Sequence, residues 1–297
     1  ARDYLPKLDL GLPGLQRAIV GALERQQLER QLREKNEHLQ VDLRMARDVQ
    51  RALLPQQFPA FPPNPAAQQP GLRFCQRYQP AVAVGGDFFD VLQLSNTQAG
   101  ILICDVMGHG LRAALVTAVL RGMIEELRPL AADPGRFLGA INGELYRLFQ
   151  ATQPRLFVSA FYLVVDVARG EFRYARAGHP SPLLLRRRDS QLTSLPIPRD
   201  PAAVALGVVP GQAYRSECTG LQPEDLVILY TDGLFEVEGP DEELFGEERL
   251  RAAVTAHCRL PVEELFDGLL EEVRSFSVKH QFTDDVCLVG VEVYDHE

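Results

Sequence analysis

Four short acidic motifs are the part of this chain whose residue types could do chemistry. They read GGDFFD at 85–90, DVMGHG at 105–110, YTDG at 230–233 and FTDD at 282–285. The last three each adjoin a hydrophobic run of the kind that forms a buried strand. A carboxylate at the end of such a strand is costly unless a positive charge receives it. Since no motif contains lysine or arginine, the pattern indicates a divalent cation as the partner.

The chemistry that such motifs favour is metal-assisted hydrolysis. Carboxylate oxygens suit Mg²⁺ or Mn²⁺, whereas zinc would be expected with His or Cys partners. Two such ions about 3.5–4 Å apart would lower the pKa of a shared water and direct it at a phosphoryl group. Gly85 and Gly86 would allow the tight turn that aims Asp87 at a shared centre. The chain has neither a GxxxxGKS/T nucleotide loop nor a GxSxG nucleophile motif.

Eight strands and four helices are predicted to position these motifs. The strands are expected at 72–80, 87–93, 99–105, 157–166, 170–177, 181–188, 225–230 and 285–294. The helices are expected at 110–129, 134–150, 246–258 and 261–275. Turn residues at 169–170 and 188–190 indicate hairpins, and the helices occur in consecutive pairs. This order favours an α+β layered domain with antiparallel pairing over a doubly wound parallel sheet.

The first 55 residues have a different character from the rest. Proline is absent from Leu15 to Leu53, and one apolar position recurs every seven residues, at Leu32, Leu39, Ala46 and Leu53. The pattern predicts a long amphipathic helix whose segment 26–54 has a coiled-coil tendency. Lys35 and Asp42 interrupt the second seam position, so we expect weak pairing. The two outcomes left open are homodimer formation and packing of the helix on its own domain.

Composition sets the remaining bounds. Pro55 is expected to end the long helix, and the proline-rich segment 56–71 is interpreted as a linker to the main domain. The net charge is −9, of which residues 1–55 contribute +2 (10 Lys/Arg, 8 Asp/Glu) and the remainder −11 (21 Lys/Arg, 32 Asp/Glu). The acidic balance argues against a nucleic-acid surface on the main domain. No apolar run reaches membrane-helix length and no signal segment opens the chain, so a cytoplasmic protein without a membrane span is expected. The five cysteines contain no CxxC pair and are expected as reduced thiols.

The acidic motifs, together with AGHP at 177–180 and the extension TDDVCLV at 283–289, resemble a known family. In this order they are similar to the metal-dependent Ser/Thr protein phosphatases of the PPM family, in the bacterial branch typified by SpoIIE and RsbU. The resemblance covers roughly residues 43–294. It implies an αββα sandwich of two mainly antiparallel sheets flanked by helices, preceded by the long helix, with two metal ions at one edge of the paired sheets.

The resemblance also implies the metal ligands and catalytic residues. Asp105 would bridge the two ions, and Asp87 would bind the second. Asp232 and Asp285 would bind the first ion. Val106 would contribute its backbone carbonyl, a role for which any side chain is acceptable.

Five further residues have less defined roles. Asp284 would either support a ligand or bind a third, weak ion. Because histidine ordinarily titrates near neutrality, His109 and His179 could act as general acids, but a structural role for each loop histidine is the stronger interpretation. Arg73 and Arg77 are candidates for phosphate binding by position only, and an ordinary role on an exposed strand is favoured for both.

The implied function is hydrolysis of phosphoserine and phosphothreonine in a partner protein, with STAS-domain anti-sigma-factor antagonists as the expected substrate class. Residues 1–7 and a helix near 13–25 resemble the last strand and helix of a response-regulator receiver, with Lys7 in the place of the phosphate-contacting lysine. A receiver remnant at 1–25, a coiled-coil linker at 26–55 and a phosphatase domain at 56–297 are therefore expected. An upstream histidine kinase would act through the receiver.

Two competing functions and one competing structure remain. GGDFF superficially resembles the GGDEF signature of diguanylate cyclases, but Phe88 stands where that family needs an acidic ligand. A catalytically degenerate phosphatase fold that serves as a signalling scaffold is the other alternative, although degeneracy normally removes metal ligands. The segment 1–25 could also be an ordinary strand, turn and helix.

Overall fold

A computed structural model describes residues 12–61, 71–108, 110–196, 204–240, 242–278 and 280–294. The predicted receiver strand at 1–7, with Lys7, lies outside the described residues, as does His109. The segments expected to be a receiver helix and a coiled-coil linker form one continuous helix, α1, at Leu12–Leu53. It ends two residues before Pro55, as expected for a residue that cannot continue a helix.

The domain that follows contains four more helices and ten strands among the described residues. The helices are α2 (Leu111–Leu127), α3 (Pro134–Phe149), α4 (Gly246–Ala256) and α5 (Val262–Phe276). The strands are β1 (Gly71–Gln79), β2 (Asp87–Gln93), β3 (Gln98–Val106), β4 (Val158–Asp166), β5 (Glu171–Ala177), β6 (Leu183–Arg186), β7 (Gln191–Ser194), β8 (Glu217–Gly220), β9 (Asp225–Tyr230) and β10 (Val286–Tyr294).

The strands form two five-stranded sheets, and every strand pair is antiparallel. One sheet has the order β1-β10-β9-β6-β7 and the other the order β2-β3-β4-β5-β8. Helices α2 and α3 contact the second sheet, whereas α4 and α5 contact the first. The α+β sandwich with the layer order α-β-β-α is therefore confirmed. It arises because each sheet is apolar on both faces, so that one face packs on the other sheet and the second face on helices.

Two strands were not anticipated as separate elements. β7 and β8 are only four residues long, and their side chains are largely exposed. Such short edge strands carry little hydrophobic signal, since an edge strand is only partly covered. The eight strands and four helices that were predicted all form, with ends that shift by no more than two residues.

Apolar residues fill two layers of the sandwich. One cluster extends from α2 and α3 through the second sheet to the inner face of the first, and includes Phe88, Phe161 and Val289. The other lies between the first sheet and helices α4 and α5, where Leu226 of β9 and Phe266 of α5 are both buried. Burial on both faces explains why the central strands read as continuous apolar runs.

Contacts within the chain define two compact units, divided between Asp48 and Val49. The last turn of α1 therefore belongs to the second unit, where Gln50 and Leu54 are buried. Part of the segment interpreted as a linker also packs on this unit. The Phe61 ring is buried and lies 6.1 Å from the Phe74 ring.

All five cysteines are free thiols, and Cys75, Cys104 and Cys287 are buried. Across the described ranges, no helix combines the length and apolar character needed to cross a membrane.

Candidate functional site

The four principal aspartates lie at strand ends. Asp87 begins β2 and pairs directly with Asp105, the penultimate residue of β3. Asp232 follows the end of β9, and Asp285 precedes the start of β10. Since β9 and β10 are antiparallel neighbours, with Tyr230 opposite Leu288, these two aspartates lie at the same edge of their sheet.

A side-chain hydrogen bond joins this edge of one sheet to the other. The hydroxyl of Thr231, next to Asp232, donates to Oδ2 of Asp87 at 2.7 Å. The same hydroxyl accepts the backbone N–H of Cys287 at 2.9 Å, so its proton is free for the carboxylate. Thr231 thereby fixes one oxygen of Asp87.

The segment before Asp87 fixes Asp285. The backbone N–H groups of Ala81 and Gly86 donate to the two carboxylate oxygens of Asp285 at 2.8 and 2.6 Å. Gly86 is required at its position because a Cβ there would lie 2.7 Å from the carbonyl oxygen of Val106. That close approach places the Val106 carbonyl beside the segment that carries Asp87.

The electrostatics of the edge are those of crowded negative charge. Burial first, and then Asp232, Asp284 and Asp285, raise the pKa of Asp105 to about 7. Burial and the Asp105 charge raise the pKa of Asp87, although the Thr231 hydroxyl opposes the shift. None of the ion pairs recorded for the described residues involves Asp87, Asp105, Asp232 or Asp285.

These residues fit a hard divalent cation in chemistry. All the side-chain donors are oxygens, and their repulsion is uncompensated, which a cation would correct. Within the part of the chain that the structure describes, no three acidic, His or Cys side chains already stand in a metal-holding arrangement. Backbone amides bond both carboxylate oxygens of Asp285, and each oxygen keeps a second lone pair for a cation.

Asp284 and His179, whose roles were less defined, both have hydrogen-bond contacts with nearby backbone. Asp284 accepts the backbone N–H of Asp285 at 2.8 Å, and its charge adds to the burial that raises the pKa of Asp105 and of Asp232. His179 is buried, its Nδ1 lies 3.2 Å from the carbonyl oxygen of Pro180, and burial lowers its pKa to about 4. A histidine that is neutral at pH 7 is a poor general acid, which supports the structural interpretation.

Both arginines proposed by position have other partners. The Arg77 guanidinium bonds both carboxylate oxygens of Asp267 on α5, at 2.7 and 2.9 Å. Arg73 pairs with Glu292 at 3.4 Å and lies over the Tyr294 ring. These contacts support the favoured interpretation that both are ordinary strand arginines.

The sequence interpretation missed three side chains at this edge. Gln50 bonds the backbone of Gly85, and Tyr78 lies beside Gly85 and Asp285. The charge of Glu236 adds to the burial that raises the pKa of Asp105. Only Glu236 had a usable sequence signal, because this acidic residue follows Asp232 by about one helical turn. In the structure its N–H bonds the Asp232 carbonyl.

The chain is similar to a known protein family and to several of its members. Residues 95–294 match the family described as Stage II sporulation protein E (SpoIIE). The phosphoserine phosphatase RsbP of Bacillus subtilis is 27% identical over 221 residues, which cover 73% of this chain and 51% of that protein. The phosphoserine phosphatase RsbU of the same organism is 23% identical over 259 residues, covering 85% of this chain and 71% of that protein. This chain spans about half the length of RsbP and 37% of another relative, the protein IcfG of Synechocystis.

Solved structures share the fold. The SiaA-PP2C domain of Pseudomonas aeruginosa superposes with a TM-score of 0.72 at 23% identity, covering 88% of this chain and 98% of that domain. The RsbU and RsbW domains of a Mycobacterium tuberculosis protein give a TM-score of 0.64 at 26% identity, with coverage of 81% and 63%. RsbX in complex with magnesium gives 0.53 at 17% identity, with coverage of 76% and 96%.

Proposed function

Because the chain belongs to the SpoIIE family, we propose that it is a metal-dependent phosphatase that hydrolyses phosphoserine and phosphothreonine in proteins. The observation that carries the proposal is the convergence of four buried or half-buried aspartates at one edge, without an ion pair to any of them among the described residues. The phosphoserine phosphatases RsbP and RsbU supply the reaction class, and RsbX supplies a precedent for magnesium in this fold.

We assign the cofactor as two Mn²⁺ or Mg²⁺ ions. Asp105 would bridge them, Asp87 would bind one, and Asp232 and Asp285 the other, with the carbonyl of Val106 as a further ligand. Asp284 would support this set or bind a third ion. When bound, two such metal ions supply a water of lowered pKa and neutralise charge on the phosphoryl oxygens.

The chain's own residues have two tasks in this proposal. The first is to hold the carboxylates in place, which Thr231 does for Asp87 and the amides of Ala81 and Gly86 do for Asp285. The second is to limit the access of water to the proposed metal site. Burial of Asp87 strengthens its attraction to a cation, since the local dielectric constant is lower than that of water.

The substrate and the regulatory context are proposals of the same kind. Phosphorylated STAS-domain anti-sigma-factor antagonists are the proposed substrate class. Residues 1–25, as the last strand and helix of a receiver on which a histidine kinase acts, would make this domain the output of a response regulator. Pairing of residues 26–54 would give a homodimer. The proposed location of the protein is the cytoplasm. Leu32 and Leu39 on this helix are 61% and 56% exposed, and an apolar stripe on a polar helix is what such pairing needs.

A phosphate-release assay tests the proposal. The chain should release phosphate from a phosphoserine protein with Mn²⁺ and not with EDTA. Asp105→Asn and Asp232→Asn should each reduce activity by at least about 100-fold, since loss of an outer-sphere partner alone costs about 10–100-fold.

The matched control is Asp267→Asn, which removes an exposed carboxylate that pairs with Arg77. It should retain activity. A folded parent chain that releases no phosphate from several phosphoproteins with Mn²⁺ would favour the alternative, a degenerate signalling scaffold.

A further inference from the structure

Tyr78 has a buried hydroxyl with no hydrogen-bond partner among the described residues. It lies on β1 opposite Cys287 of β10, two residues along from Asp285. Four other tyrosines with shielded hydroxyls all donate to a backbone carbonyl, namely Tyr162, Tyr174, Tyr214 and Tyr230. Tyr78 is therefore the exception, and it lies at the acidic edge, the strand ends that carry Asp87, Asp105, Asp232 and Asp285. An unpaired buried donor at this place needs an explanation.

The hydroxyl faces a small gap beside Asp285. A Cβ added to Gly85 would lie 2.8 Å from the Tyr78 hydroxyl and 2.6 Å from Oδ2 of Asp285. Gly85 thus leaves open the space that separates the phenol from the carboxylate. The side chain of Gln50 bonds both the N–H and the carbonyl of Gly85, which holds the backbone at this gap in place.

The surroundings of Tyr78 keep it a donor. Burial and the charges of Asp285 and Asp87 raise its pKa above the usual value. The neighbouring thiols of Cys287 and Cys104 act in the same direction. A protonated phenol beside carboxylates can only lower their energy by donating its proton in a hydrogen bond.

We propose that Tyr78 is a positioning residue that donates a hydrogen bond to the Asp285 carboxylate when Asp285 binds metal. The inference rests on the proposed function, because it assigns Asp285 as a ligand. The Tyr78 hydroxyl stands across the Gly85 gap from Oδ2 of Asp285, the oxygen that the Gly86 amide already bonds, so a small movement of either side chain would bring the two groups within hydrogen-bond distance. Partners of this kind orient a ligating carboxylate and commonly contribute about 10–100-fold to metal affinity.

The test is Tyr78→Phe in the whole chain, which removes only the hydroxyl. We expect the substitution to leave the metal-free protein at least as stable as the parent while it weakens Mn²⁺ binding. The metal-free variant should melt at the same or a higher temperature than the parent, because an unpaired buried donor is lost. Its dissociation constant for Mn²⁺, measured by titration calorimetry, should rise by about tenfold or more.

The matched control is Tyr162→Phe, whose hydroxyl bonds the Ala131 carbonyl. It should lower the metal-free melting temperature and leave Mn²⁺ affinity unchanged. The proposal is overturned if Tyr78→Phe binds Mn²⁺ as tightly as the parent, or if it destabilises the metal-free protein as the control does. A folded parent chain without measurable Mn²⁺ binding would instead overturn the metal assignment, and this inference with it.

Discussion

Gln50 binds the backbone of Gly85 through both polar atoms of its amide. Its Nε2 donates to the Gly85 carbonyl at 2.7 Å, and its Oε1 accepts the Gly85 N–H at 3.1 Å. The pair joins the last turn of α1 to the segment whose next residue, Gly86, bonds Asp285. A change at Gln50 should therefore reach the acidic edge through these hydrogen bonds.

Gln50→Leu tests that connection. The variant keeps similar volume but leaves two buried backbone groups of Gly85 without partners, at a cost of about 1–3 kcal/mol. We expect this loss in urea unfolding with EDTA, together with lower Mn²⁺-dependent activity. Gln27→Leu, on an exposed part of the same helix, is the control and should change neither quantity. Parent-like stability and activity of Gln50→Leu would show that the Gly85 segment holds its position unaided.

The pH dependence of the metal-free protein follows from Asp105. Its pKa is raised to about 7 in the folded state, whereas an unfolded aspartate titrates near about 3.9. Between about pH 4 and about pH 7, the folded state therefore retains a proton on Asp105 that the unfolded chain has lost. This contribution to stability is fully present below about pH 4 and is lost as the pH rises through about 7.

We therefore expect the melting temperature in EDTA to fall between about pH 5 and about pH 8. Asp105→Asn should flatten the profile and melt higher at the upper end, by an amount equivalent to roughly 2–4 kcal/mol. Asp267→Asn should keep the parent's slope, because the Arg77 hydrogen bond lowers the pKa of that exposed carboxyl. Equal slopes for the parent and Asp105→Asn, measured by circular dichroism, would contradict the prediction.

Gly233 is required by a close approach of two backbones. A Cβ at this position would lie 2.0 Å from the Asp285 carbonyl oxygen, and backbone cannot move aside as the end of a side chain can. Gly233→Ala should cost at least about 1–3 kcal/mol in urea unfolding, the usual effect of overpacking.

Gly143→Ala is the matched control. No atom lies within 4 Å of its added Cβ, and it stands inside helix α3. Alanine should stabilise that helix by about 0.5–1 kcal/mol. If the two substitutions have equal effects, then the approach of Asp285 to residue 233 does not constrain the fold.

The apolar positions of α1 predict self-association. Leu39 belongs to the seven-residue series and is 56% exposed, so Leu39→Glu should shift the protein toward monomer and alter its phosphatase activity. Val41 is 50% exposed but lies outside the series, which makes Val41→Glu the control. Light scattering at tens of micromolar measures both. A monomeric parent chain whose mass and activity are unaffected by Leu39→Glu would mean that the helix is only a tether or packs on its own domain.

The sequence determined the helices and strands of this protein because its hydrophobic periodicity is strong. The predicted bounds of β2 and β9 agree with the structure, since each apolar run is closed by a charged or turn-forming residue. The acidic motifs were found for the same reason, as charges at the ends of buried strands. Their location at strand ends follows from the order of motifs and strands along the chain, whereas the pair of sheets was implied by the resemblance to the PPM phosphatases and the strand order in each sheet came from the structure.

Only the tertiary structure decided how that edge is supported. Gln50 lies 35 residues from Gly85 in the sequence, and Thr231 lies 144 residues from Asp87. Neither pairing has a local signal, because each depends on which helix end and which sheet edge meet after folding. The unpaired hydroxyl of Tyr78 is the same kind of result among the described residues. An isolated tyrosine in a strand pattern predicts burial, whereas the absence of a partner emerges only when the neighbouring groups have been placed.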